Sequence, residues 1–307
     1  MPSSVTHAYI AQDVYKILDK KIKTKFNNYI EDYKTYSQGP DIFYFYNIVL
    51  PITKKSREIM KLGSFIHKNK IEKLLISLTN QIKETKNVNQ FLFLCGLITH
   101  YITDSTIHPL INYKASLIKN FVLSEKDSHF LLETYLDNYM IKEKENINYK
   151  KFKIHEFCFN LKENKDIINL LNYSFKKVYN KDNIGNYYFL ALKDMKTFFK
   201  VFRYDPTGYK RKIYNILNIF TNKLFRDIRY LSYNFSLDKD IFYLNLNHDN
   251  WHSIYNKDIK GQESFLDLYD LVLEKTKDVI TILYEYIYED KNINLNKLYN
   301  DLDLYNK

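Results

Sequence analysis

An apolar helix that carries three cation-competent side chains constrains this chain more than any other feature. The run Phe91–Ile98 is almost wholly hydrophobic, so residues 88–107 read as one buried helix. His100, Asp104 and His108 follow at i, i+4, i+8. On a helix, residues four apart share a face, with Cβ atoms about 6 Å apart. Leaving such groups unpartnered in a core is costly. Two arrangements answer that cost: a His100–Asp104 hydrogen bond inside the core, or a metal ion shared with other side chains. Pro109 disfavours helical geometry at His108, so the helix is expected to end there.

Helical periodicity extends over most of the remaining sequence. Residues 7–20 place Tyr9, Ile10, Val14, Ile17 and Leu18 on one stripe. Residues 57–85 read as one or two helices, through Ile59, Leu62, Ile66, Ile71, Leu74, Leu75, Leu78 and Ile82. A further helix spans 125–145, with Ser124 as its N-cap and Asp127 in its first turn. Others lie near 161–180, 186–203, 209–230 and 263–289. Ser37-Gln38-Gly39-Pro40-Asp41 and Asp205-Pro206-Thr207-Gly208 are the clear breaks, and 235–262 is irregular. With 6 glycines and 5 prolines in 307 residues, a turn-rich β architecture is disfavoured. No repeat and no Ser/Gly linker divides the chain. The expectation is an all-α multi-helix bundle forming one domain over 1–307, with a metal-binding core in 1–145 and a helical remainder in 146–307.

The net charge of +10 admits nucleic-acid or membrane attraction. The lysines are dispersed among acidic residues, however, which reads as a solvated surface with no specific nucleic-acid signature. It suits weak attraction to an anionic phosphate substrate. No apolar run reaches the roughly 20 residues that span a bilayer. No basic region followed by an apolar stretch opens the sequence, so a cytoplasmic location is expected. Cys95, inside the apolar run, is expected as a buried reduced thiol, and two cysteines, Cys95 and Cys158, do not suggest a disulfide framework. No feature specifies an oligomeric state.

Five of the 8 histidines fall in the first 129 residues. His129 and Glu133 are spaced i, i+4, and Asp137 continues that face. They suit either one zinc ion or a surface salt bridge. Asp41 follows Gly39-Pro40 in a tight turn beside Phe43–Tyr46, as a metal ligand or a helix cap. His67 lies on a helix face near Ile71, as a ligand or a core histidine. His7 stands near Pro2, whose amine becomes a nitrogen donor once Met1 is removed. His248 and His252 flank the only tryptophan, Trp251, and read as packing of the irregular segment.

These residues together resemble the zinc-dependent prokaryotic phospholipase C family, which is related in fold to the single-strand-specific zinc nucleases. The resemblance rests on Thr6-His7-Ala8, Gln38-Gly39-Pro40-Asp41, Gly63-Ser-Phe-Ile-His67, the block from Cys95 to Pro109, and His129 with Glu133. Beyond residue 150 it rests on Leu244–Trp251 and Glu263–Tyr269. It implies an α-helical bundle around two to three zinc ions, about three in the full family pattern. Asp41, His67, His100 and Asp104 would hold one; His108, His129 and Glu133 a second. His7, Asp104 and the N-terminal amine would hold a third, with Asp104 bridging. It implies a phosphodiester substrate, phospholipids among them, attacked by metal-bound hydroxide. Asp41 and Asp104 would be the catalytic carboxylates, Asp41 orienting or deprotonating the water. The four-residue gap from Asp104 to His108 suits the non-secreted branch, and no C-terminal β-sandwich is legible after 150. Two other readings stay open: a nuclease or nucleotide phosphatase stacking bases on Phe43–Tyr46, and a non-catalytic helical protein stabilised by metal.

Overall fold

A computed structural model of the chain describes residues 3–26, 29–48, 53–118, 125–221, 232, 240–300 and 302. The first half runs α1 (Ser4–Ile17), α2 (Lys20–Phe26), α3 (Ile30–Tyr36), a 3-10 turn (Gly39–Phe45), α4 (Lys54–Lys68), α5 (Ile71–Thr85), α6 (Val88–Ile118) and α7 (Glu125–Glu145). The second half runs α8 (Ile154–Phe157), α9 (Lys165–Tyr179), α10 (Ile184–Phe198), α11 (Tyr209–Thr221), α12 (Asp240–Tyr243), α13 (Phe265–Tyr288) and α14 (Leu295–Asn300). A short 3-10 turn (Tyr149–Lys151) precedes α8, and a π turn (Phe199–Arg203) ends α10. The fold is all-α. Its described strands are β1 (Trp251–His252) and β2 (Lys260–Gly261), an antiparallel ladder pairing Trp251 with Gly261.

Helix α6 is the axis. Apolar nearly all round, it must be covered on every side, and α1, α3, α5, α7, α9 and α13 all pack on it. At Gly96 the approach of α3 is so close that a Cβ would lie 2.4 Å from the Tyr36 Cβ. Beside it the Tyr33 and Thr99 hydroxyls share a hydrogen bond of 2.7 Å. Helix α13 crosses from the C-terminal part of the chain onto α6, α1 and α5. It starts at a capping box in which Ser264 and Asp267 satisfy each other's backbone amides.

The structure corrects one expectation about α6. The helix does not stop at His108 but continues through Pro109 to Ile118. Proline removes one N–H, so the Ser105 carbonyl loses its helical donor. The turns beyond bury Leu110, Ile111 and Ala115 in the same core as the turns before. That burial outweighs the broken bond, and His108 stays in helical register with His100 and Asp104. The stretch 57–85 is two helices, broken at Asn69–Lys70 where Lys70 has φ +53°. The Asp41 turn is a buried 3-10 helix. The Ser124 cap and the end of the 209–230 helix lie outside the described residues. Within the described part of 235–262, residues 240–262, the structure adds α12 and the β1–β2 ladder to the expected irregular segment. No described helix is long and apolar enough to cross a membrane.

Candidate metal centre

Five elements deliver the eight residues to one place. Helix α1 brings His7, the 3-10 turn Asp41, and the last turn of α4 His67. Helix α6 brings His100, Asp104 and His108, and α7 brings His129 and Glu133. Their donor atoms form three groups within 4.8 Å: His7, His100 and Asp104; Asp41, His67 and His100; His108, His129 and Glu133.

Asp104 is the hub. Its Oδ2 lies 3.3 Å from His100 Nε2 and 3.6 Å from His67 Nε2. Its Oδ1 lies 3.3 Å from His7 Nε2 and 3.8 Å from His108 Nδ1. Asp41 Oδ1 is 3.4 Å from His67 Nε2. At the far side Glu133 Oε1 is 3.2 Å from His108 Nε2 and 3.0 Å from His129 Nε2. Ligands at the 2.0–2.1 Å of a tetrahedral zinc site are separated by about 3.3–3.4 Å. Most of these edges fall close to that value.

Tautomers sharpen the point. His67 Nδ1 lies 2.5 Å from the Gly63 carbonyl and His100 Nδ1 lies 3.2 Å from the Ser37 carbonyl. A carbonyl only accepts, so Nδ1 carries the hydrogen in each ring. As neutral imidazoles, both rings then turn Nε2 lone pairs at each other across 3.0 Å, with the Asp41 and Asp104 oxygens alongside. Lone pairs and carboxylates converging on one point repel unless a cation sits among them. The backbone carbonyls are the partners that orient metal-ligating histidines. The donor set therefore fits a divalent metal of the zinc type.

Electrostatics agree at the second group. Burial drives the His108 imidazole toward its neutral form, overcoming the pull of Asp104 and Glu133. Burial alone would raise the Glu133 carboxyl, but His129 and His108 hold it well below the usual carboxylate range. A neutral imidazole and an ionised carboxylate are the protonation states that ligation needs.

Burial is uneven across the cluster. The His100 side chain is fully buried, whereas His129 is 25% exposed, His108 16% and Asp41 12%. A small cleft lined by Thr6, His7, Thr103, Asp104, His108 and Glu133 runs into it.

Sequence reasoning missed what supports the cluster. Gly39 has φ +55°, and a Cβ there would lie 2.3 Å from the His100 ring. The Gly-Pro pair was legible as a loop, but the ring pressed against it was not. The N-terminal amine lies outside the described residues. His248 and His252 stand apart from the cluster: His252 packs on Tyr113 at 4.9 Å, and His248 Nδ1 lies 3.5 Å from Asp267 Oδ2. Trp251 is buried and donates Nε1–H to the Glu263 carbonyl.

Fold and site together define a class: an all-α protein whose helices gather histidines and carboxylates into a candidate polynuclear metal centre. A family model described as zinc dependent phospholipase C matches residues 6–204, well over half the chain, and the chain belongs to that family. Comparisons with curated proteins and with solved structures each found no match.

Proposed function

We propose that the chain is a zinc-dependent phosphodiester hydrolase of the phospholipase C type, acting on phospholipid. The observation that carries this is the cage of converging lone pairs around Asp104. Asp41, His67, His100 and Asp104 would hold one ion, and His108, His129 and Glu133 another. His7 with Asp104 would hold a third. When bound, zinc supplies positive charge for a phosphate ester's oxygens and acidifies water.

The chain's own residues supply the rest. Asp104, buried and facing both halves of the cluster, fixes the spacing of the groups. Asp41 is the most exposed of the three carboxylates, so its free oxygen is the one that can orient an incoming water and accept its proton. His108 and His129 form the open rim where an anionic phosphate group can enter. Near Asp41, the Tyr44 hydroxyl is held protonated, first by burial and then by the Asp41 and Asp104 charges, which keeps it a hydrogen-bond donor. This open rim argues against a closed, purely structural metal site, where every coordination position is taken by protein. We read residues 1–307 as one domain, since α13 and α14 pack on the helices of the first half. Cys95 and Cys158, buried as free thiols, suit the reducing cytoplasm.

The test is hydrolysis of phosphatidylcholine and of a chromogenic phosphocholine ester, with elemental analysis of the same protein. About two to three zinc ions per chain and activity abolished by chelation are expected. Asp104→Ala should lose zinc and activity together. A zinc-loaded chain inert on every phosphodiester tried would sink the assignment.

A further inference from the structure

His7 is held differently from the two other most buried histidines of the cluster. His67 and His100 are each aimed by an Nδ1–H bond to a carbonyl. The Nδ1 of His7 is buried and has no hydrogen-bond partner among the described residues. Its ring stacks on His100, centroids 4.7 Å apart and planes at 26°. Beyond that contact, its aim at Asp104 depends on where α1 places its backbone.

The N-terminus of α1 is not capped locally, because Ser3 makes no side-chain cap bond. A carboxylate from α7 takes that place. Asp137 Oδ1 accepts the Thr6 backbone N–H at 2.9 Å and the Thr6 hydroxyl at 3.0 Å, with both residues buried. The Thr6 amide belongs to the first turn, whose N–H groups have no partner within the helix. The anion also meets the positive end of the helix dipole. Asp137 follows His129 and Glu133 on one face of α7, a turn apart. On the opposite flank, Gln38 Nε2 donates to the Ser4 carbonyl at 3.0 Å and Ser37 Oγ to the His7 carbonyl at 3.1 Å. Those bonds hold carbonyls of α1, while Asp137 holds an amide, in the residue next to His7.

We propose that Asp137 is a positioning residue: by capping α1 from α7 it aims His7 at Asp104 and so sets zinc affinity at the His7 group. The role rests on the zinc reading above. It also ties the third group to the helix that carries His129 and Glu133.

The experiment is equilibrium dialysis of the full chain against a series of buffered zinc concentrations, with zinc per chain read by elemental analysis and thermal unfolding measured alongside. Asp137→Ala should weaken one zinc ion by about 10–100-fold, the usual worth of an orienting partner, and leave the rest of the isotherm in place. Asp137→Asn keeps an accepting oxygen and should recover most of that loss. Thr6→Val removes one of the two bonds and should shift the same step less; it serves also if Asp137→Ala does not fold. A lower melting temperature with an unshifted isotherm in these variants would mean that Asp137 only stabilises the fold, and overturns the role alone. A wild-type chain that takes up no zinc overturns the cluster reading and this role together.

Discussion

At Gly39 a backbone conformation and a packing distance make the same demand. Its φ of +55° belongs to the left-handed region, which costs a residue with a Cβ about 1–2 kcal/mol. The Cβ would also strike the His100 ring at 2.3 Å. His100 has no room to yield, since its ring lies between His7 and His67 and its Nδ1–H is fixed by the Ser37 carbonyl. Gly39→Ala should therefore lower the melting temperature and weaken zinc at the Asp41 group, while His108, His129 and Glu133 keep their ion. Zinc titration of the purified variant checks this; an unchanged isotherm would show that the ring adjusts freely. The substitution is small and lies outside the set of candidate ligands, which makes it a sensitive probe of how tightly the first group is built.

Helices α1, α7 and α13 meet through one carboxylate, away from the cluster. Asp13 on α1 accepts from Lys144 of α7 at 2.6 Å, from Tyr269 of α13 at 2.8 Å and from Lys16 at 2.7 Å. Burial alone would raise the Asp13 carboxyl; the bonds from Lys144, Lys16 and Tyr269 outweigh it and hold the group below its ordinary value. A folded value below the unfolded one means that the stabilisation is present above the unfolded value of about 3.9 and fades as pH falls through the lower folded value. Asp13→Asn should cost about 1–3 kcal/mol near neutral pH. The gap between its melting temperature and that of the unsubstituted chain should close below about pH 4. A gap that persists unchanged into strong acid would show that the ion pairs are not its source. Packing between helices also carries α6 past Pro109: the apolar surface beyond it belongs to the shared core, so tertiary burial overrides the local preference.

For the whole molecule, the cluster joins elements distant in sequence, so metal and fold should be linked. Anything that binds the folded chain and not the unfolded one stabilises it, by about 2.7 kcal/mol at a concentration one hundred times its dissociation constant. Chelation should lower the melting temperature, and added zinc should restore it in a concentration-dependent way. Calorimetry across a zinc series checks this, and a melting temperature indifferent to both treatments would count against a structural contribution of metal.

Most of the helices and the candidate ligands were legible in the amino-acid sequence alone. Spacing of 3.6 residues made the helices readable, and i, i+4 spacing put His100 with Asp104 and His129 with Glu133, because these are local properties of one helix. Family resemblance added the expected grouping. Packing between segments settles that Asp104 faces both halves of the cluster, that α6 survives Pro109, that Gly39 lies against His100 and that Asp137 caps α1. Each of these depends on contacts between segments tens of residues apart, whose energy comes from burying surfaces together, and no local periodicity encodes which surfaces those are.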